Sequence, residues 1–335
     1  MILSARASKK LLYDLTKTWR PLHFQGGNQK SRYFEGWYFK NVSADGDHIW
    51  SVIPGISIAE ESNRHSFIQL INGKTAETWY VEYPLEDFSY SKLNFEFSIG
   101  DNKFGYRGMK LDIDDPEITA TGNISFSNLN KLKSTLLNPG IMGWYSFVPF
   151  MECYHGLVSA DHDLNGSLSI NNNAISFSGG KGYSEKDWGR SMPSSWIWMQ
   201  SNHFKTDGIS LMLSVARIPW MLSSFTGFLC VLLLDGKIYR FATYTGAKIK
   251  RLKVSDESVT AEIADKKYTL TINAHHSGRG ILVAPLNGAM DRRIAESVDA
   301  IIELSVTDKN GNKIFSGKGT NAGLELVGDR SELPV

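Results

Sequence analysis

The chain is predicted to be all-β, with two antiparallel barrel-like units behind a short N-terminal helix. Short runs rich in β-branched and aromatic residues recur along most of its length, separated by turn residues. Stretches with helical spacing are scarce. The runs are too many for one small barrel, which argues for two units.

Residues 1–24 begin MILSARASKKLLYDLTKTWRP, where Leu11, Leu12 and Leu15 fall on one side, the pattern of an amphipathic helix. SRYFEGWYFKNVSADGDHIWSVIPGIS then gives two β-rich runs around a glycine turn, and HSFIQLINGKTAETWYVEY repeats the arrangement around Asn72-Gly73. LNFEFSIGDNKFGYRG turns at Gly100-Asp101-Asn102, and LNGSLSINNNAISFSGGKGY alternates on either side of its asparagines. FTGFLCVLLLDG reads as a buried strand closed by Asp235-Gly236, too short to span a bilayer. Two stretches interrupt the rhythm. NLNKLKSTLLNPG has the leucine spacing of a short helix stopped at Asn138-Pro139-Gly140, and PLNGAMDRRIAESVDA suggests a loop with a helical turn. Gly, Pro and Ser cluster between Gly189 and Ser195, which places the first unit at 25–190 and the second at 191–335.

Composition removes several classes. With 42% hydrophobic residues the chain has ample core, and a net charge of +1 argues against a dedicated nucleic-acid binder. Cys153 and Cys230 lie far apart in apolar surroundings, so free thiols in a reducing compartment are expected. No run suits a secretory signal, and a cytoplasmic protein with at most peripheral membrane contact is expected. The histidines are scattered in spacings that match no helix-borne zinc motif, so no metal is expected. No phosphate loop, nucleophile elbow or dinucleotide fingerprint occurs, so no cofactor is expected either.

Two stretches mix large rings with titratable groups. In YFEGWYFKN, alternation puts Glu35, Trp37 and Phe39 on one strand face. In GYSEKDWG it puts Tyr183, Glu185 and Asp187 on one face and Ser184, Lys186 and Trp188 on the other. Trp196, Trp198, Gln200 and Asn202 share a face of SWIWMQSNHF. Such a face suits the wall of a ligand cavity, which is apolar with a few placed polar groups. It equally suits aromatic packing in which Gln200 and Asn202 bond across the join between units. The first reading makes Trp37, Tyr183, Trp188, Trp196, Trp198, Gln200 and Asn202 binding residues for an apolar small molecule. Asp187, Glu35 and Glu185 are then candidate acids, their carboxyls kept neutral by burial. Asp187 is favoured because it adjoins Trp188 and the Trp-lined strand. The alternatives are ion pairs that order the structure, Asp187 with Arg190 and Glu35 with a nearby Arg or Lys.

RYFEGWYFK, GWYSFVPFMECYHG and YSEKDWGRSMPSSWIWMQSNHF together resemble the tocopherol cyclase family, with weaker likeness in GKIYRFATYTGAKI and SGKGTNAGLELVG. The resemblance runs from about Gly26 onward and implies a two-domain lipocalin-like fold. It also implies a cofactor-independent cyclase that closes a ring on a prenylated quinol or similar isoprenoid phenol by protonating an alkene. Asp187 stands where the plant enzymes resembled carry Asn. A lipocalin-like carrier of a lipid or quinone, and a related polyene hydratase or cyclase, are the alternative readings.

Overall fold

A computed structural model of the protein describes residues 16–334 except 28, 61, 150, 221, 222, 277 and 279. Leu11, Leu12 and Leu15 lie outside the described residues, and the first described element is a single 3-10 turn, Lys17–Trp19.

Everything else of consequence is strand. The first sheet holds β1 (Tyr33–Val42), β2 (Ile49–Glu60), β3 (Asn63–Asn72), β4 (Thr78–Pro84), β5 (Phe88–Tyr90) and β6 (Glu96–Ile99). It continues with β7 (Asn102–Gly105), β8 (Gly108–Asp114), β9 (Thr119–Ser127), β10 (Cys153–Ile170), β11 (Asn173–Ser176) and β12 (Lys181–Gly189). The second sheet holds β13 (Trp196–Ser201), β14 (His203–Phe204), β15 (Ser210–Trp220), β16 (Ser223–Leu234), β17 (Lys237–Ala242) and β18 (Lys248–Val254). Its remaining strands are β19 (Ser258–Ala264), β20 (Tyr268–His275), β21 (Gly280–Leu286), β22 (Ala289–Asp308) and β23 (Lys313–Val327). The first sheet runs in the order β4-β3-β2-β1-β12-β10-β9-β8-β7-β6-β5, and the second runs β17-β16-β15-β13-β23-β22-β20-β19-β18.

Every ladder is antiparallel, as the hairpin signals predict. The turns at Asn72-Gly73, Gly100-Asp101 and Asp235-Gly236 join neighbouring strands, and FTGFLCVLLL forms β16. Each sheet curls around its own core: Val81 of β4 and Phe97 of β6 share one cluster with Trp37 and Phe39 of β1. Among the described residues no ladder joins β4 to β5 or β17 to β18, so neither sheet is closed by backbone bonds.

Two local expectations are corrected. Residues 129–138 form no helix, and the nearest helical turn is a 3-10 segment at Gly143–Phe147. A short helix needs an apolar face packed on something, and here Leu136 and Leu137 are exposed. PLNGAMDRRIAESVDA belongs to a hairpin, not a helical turn: Asn287 and Gly288 have φ of 51° and 85° and connect β21 to β22. Positive φ at both central positions is the tight-hairpin geometry that matches strand twist. Pairing on both sides of β22 then overrides the weak helical preference of its Ala, Arg and Glu residues.

Strand alternation divides the apolar side chains into three sets. Trp37 and Phe39 enter the first core, while Ile197 and Met199 enter the second. Tyr38, Tyr183, Trp196, Trp198 and Met212 point the opposite way and form a third cluster between the two sheets. The candidate site lies there.

Candidate active site

A cavity of about 190 Å³ opens within that third cluster. Its wall is mostly apolar and includes Tyr38, Trp196, Trp198, Met142, Tyr145 and Leu282. Five titratable side chains also reach it: His155, Glu185 and Asp187 from the first sheet, and Glu296 and Glu325 from the second.

Register explains the gathering. On the first sheet, Asp187 pairs across the strands with Gly36 and His155, and Glu185 pairs with Tyr38 and Leu157. On the second, Glu325 pairs with Trp198 on one side and Glu296 on the other. Residues in register project from the same face of a sheet. Each sheet therefore presents a short row of acids, and the two rows look at one another across the cavity.

The first-sheet row is a bridged pair. His155 Nδ1 lies 2.9 Å from Asp187 Oδ1, and its Nε2 lies 3.5 Å from Glu185 Oε2. Burial alone would push the imidazole pKa down. The carboxylates of Asp187 and Glu185 outweigh it and raise the value to about 9, so the ring is a cation at neutral pH. Glu185 Oε2 also accepts a short bond from the Tyr183 hydroxyl and one from Trp198 Nε1 at 3.1 Å. Donors converging on one oxygen favour the ionised form, but burial dominates. The Glu185 pKa rises to about 7, with His155 opposing the rise and Asp187 adding to it.

The second-sheet row has fewer partners. Glu325 accepts one bond, from Trp196 Nε1 at 2.5 Å. It is only half-buried because it lines the cavity, yet its enclosure by protein is the largest influence and raises its pKa to about 8. The Trp196 bond opposes that rise, and the charges of Glu185 and Asp187 reinforce it. Glu296 is buried, and its Oε1 accepts from the Tyr38 hydroxyl at 2.8 Å, while Oε2 has no partner. Burial and the neighbouring Glu325 hold its carboxyl well above the usual range. Carboxyls this close in a low-dielectric setting cannot all ionise, so the cluster retains protons at neutral pH.

The donor atoms of His155, Glu185 and Asp187 lie within 4.8 Å of one another, close enough to consider a metal. Both imidazole nitrogens already face carboxylates, however, and a protonated ring has no lone pair to offer. The arrangement suits a bridging cation.

Of the residues singled out from sequence, Glu185, Asp187, Trp196 and Trp198 line the cavity. Tyr183 stands behind them, bonded to Glu185. The others lie elsewhere. Glu35 and Trp37 point into the first core, because alternation turns them away from Tyr38. Trp188 also faces that core, where its ring stacks on Tyr154 at 5.5 Å. Glu35 is fully buried against Lys186 at 2.6 Å. Gln200 and Asn202 continue the Trp face but bond across the join: Gln200 Oε1 accepts from Lys40 at 2.5 Å, and Asn202 Nδ2 donates to Asp161 at 2.9 Å. Asp187 pairs with His155 rather than Arg190. Sequence reasoning missed His155, Glu296 and Glu325 as members of the site. A lone acid between Leu324 and Leu326 was the available signal for Glu325. Nothing local linked it to Glu185 and Asp187, since that proximity arises only from the β23–β13 pairing and the packing of one sheet on the other.

A family model described as tocopherol cyclase-like matches residues 128–328. A probable chloroplastic tocopherol cyclase from rice (Oryza sativa subsp. japonica) is 28% identical over 108 residues, which cover 31% of this chain and 23% of that protein. The chain therefore matches only about a quarter of that relative's length. Among solved structures, CghA with Sch210972 superposes with a TM-score of 0.54 at 10% identity, covering 88% of this chain and 89% of the other. Kievitone hydratase from Nectria haematococca gives 0.51 at 10% identity, covering 91% and 94%. At such identities these two likenesses speak for the fold alone. The family match takes in the 3-10 segment Gly143–Phe147, β10, β12, the Trp strand β13 and the rest of the second sheet, and with it this chain belongs to the tocopherol cyclase-like family.

Proposed function

We propose that the protein is a cofactor-independent cyclase that closes a ring on a prenylated quinol or similar isoprenoid phenol, with Glu325 as the proton donor. The observation that carries this reading is a carboxyl with a raised pKa and a single hydrogen-bond donor, set in an aromatic-walled cavity. Family membership supports a cyclase-like activity.

The chemistry is redox-neutral. The Glu325 proton goes to one alkene carbon, and the other becomes a tertiary cation. The phenol oxygen attacks that cation, and its proton passes to a carboxylate. Glu185 is placed to receive it, since its Oε2 is already surrounded by donors that favour the ionised form. A proton returned from Glu185 to Glu325 restores the starting state. The Trp198 ring on the cavity wall steadies the developing positive charge, an interaction that strengthens where water is excluded, while the Trp196 ring already carries the Arg292 guanidinium at 4.8 Å. An acid of pKa near the working pH serves both halves of the cycle.

The test is incubation of the protein with a prenylated hydroquinone in D₂O. A product of unchanged elemental composition, carrying one carbon-bound deuterium, is expected. Recovery of unchanged quinol bound to the protein would mean a carrier, and a product heavier by one water would mean a hydratase.

A further inference from the structure

We infer that the surface beside the cavity mouth docks on an anionic lipid bilayer. This goes beyond the proposed reaction and holds equally for a cyclase or a carrier. Leu136 and Leu137 are 74% and 73% exposed, more than any other large apolar side chain among the described residues. Trp19, Trp144 and Phe147 are exposed as well. Single exposed apolar residues are ordinary, but these form a patch. Trp19 Nε1 donates to the Leu136 carbonyl at 2.9 Å, and its ring meets Phe147 at 5.5 Å. Trp144 and Phe147 sit three apart on a 3-10 segment, where such positions eclipse and share one side.

The patch is continuous with the cavity. Trp144 stacks on Tyr145 at 4.1 Å, and Tyr145 lines the cavity together with Phe225, whose ring is 6.4 Å away. The two segments that build the patch, residues 16–34 and 128–151, contain no Asp or Glu and carry Lys17, Arg20, Lys30, Arg32, Lys131 and Lys133. Asp163 is bonded at the Asn128 end of the second, and Glu35, fully buried, at Gln25 and Gly26 of the first. Arg20, Lys131 and Lys133 are exposed. Aromatic rings at headgroup depth with a cationic rim complement an anionic membrane surface. Two copies facing each other through this patch would bring like charges together, which disfavours self-association.

The full chain is to be floated with vesicles of phosphatidylcholine alone, or of phosphatidylcholine mixed with phosphatidylglycerol, at low and high salt. Co-flotation with the anionic vesicles, reduced by salt, is expected. The pair Leu136→Ser and Leu137→Ser should lower binding roughly tenfold, and the pair Arg20→Glu and Lys133→Glu by at least as much. Both leucines are exposed, so melting curves should match the wild type; if the leucine variant fails to fold, the charge variant and the salt series decide. Absence of co-flotation, equal binding to neutral vesicles, or unaltered binding by the variants would overturn the inference. So would a dimer in light scattering that the leucine variant dissolves. Turnover of a detergent-dispersed quinol by the leucine variant reports separately on the reaction, so failure of either reading is visible alone.

Discussion

Neighbouring residues of β12 serve two buried acid sites that differ in one respect. On its inner face, Lys186 meets Glu35 at 2.6 Å with both side chains fully buried. Glu35 also accepts from the amides of Gln25 and Gly26, at 2.9 and 3.0 Å, and from the Tyr33 hydroxyl. Lys186 gives its other bonds to the carbonyls of Pro21 and His23, and lies 4.4 Å from the Trp188 ring centre. Every lone pair and proton there has a partner, and the pair ties residues 21–26 to the sheet. On the outer face, Glu185 and Asp187 flank one imidazolium, and Glu296 and Glu325 reach the same cavity from the other sheet. Burial alone does not identify chemistry. A buried acid whose partners are complete is structural, and one left short of cations beside an open cavity holds a proton it can give away.

The largest expected effect tests the outer site. Glu325→Gln keeps the side-chain shape and an oxygen for Trp196 but removes the transferable proton. Loss of a general acid typically costs about 10²–10⁴ in rate. Turnover of a prenylated hydroquinone should fall within that range while ligand binding, followed by tryptophan fluorescence, persists. A variant that turns over at the wild-type rate would remove Glu325 from the role and leave Glu185 to fill it.

The inner site should respond in stability. Lys186→Met strands the Glu35 carboxylate in the first core, and breaking a buried pair from one side costs about 3–5 kcal/mol. Urea unfolding should show that loss. Adding Glu35→Gln to Lys186→Met removes the stranded charge and should recover part of the stability. If the double variant is no better than the single, the ion pair is not what anchors residues 21–26.

The contrast also shows what the sequence made legible. Alternating runs and Asn-Gly or Asp-Gly turns specify hairpins locally, so the all-β architecture was readable before any contact was known. Faces were readable too: alternation correctly separated Glu185 and Asp187 from Lys186 and Trp188. What alternation could not supply was the identity of whatever each face meets. Glu35 and Glu185 looked alike as acids among rings, yet one face entered a core and the other an interface. The same limit applies to Gln200 and Asn202, whose partners Lys40 and Asp161 belong to the other sheet. His155, Glu296 and Glu325 join the site through pairings and packing between strands remote in the chain.

A smaller effect comes from protonation. The Glu325 carboxyl has a pKa near 4.5 when unfolded and about 8 when folded. A carboxyl raised on folding contributes stability in full below its unfolded pKa, and that contribution is lost as pH rises through the folded value. Other groups titrate in the same range, so the informative quantity is a difference. The melting temperature of Glu325→Gln minus that of the wild type should increase between about pH 4.5 and pH 8. A difference that is flat with pH would mean the carboxyl is not held neutral.

Asp187→Asn should have the smallest effect on the reaction, although Asp187 is the acid that sequence alone favours. Its carboxylate is half-buried and lies 2.9 Å from His155 Nδ1, so its visible work is to hold and charge that ring. Asn retains an oxygen that can accept from Nδ1, which preserves the ring's orientation while removing the foremost of the carboxylates that raise the His155 pKa. The imidazole pKa should therefore fall from about 9, by an amount NMR titration of the ring protons can read. Glu185 would lose part of the cation that favours its ionised form but also the repulsion of Asp187, two changes of opposite sign. Turnover is accordingly expected to stay within about tenfold of the wild type, the scale of a perturbed positioning residue rather than a lost general acid. A fall of a hundredfold or more, with the histidine pKa unmoved, would return the proton-donor role to Asp187 and reverse the assignment made between the two rows of acids.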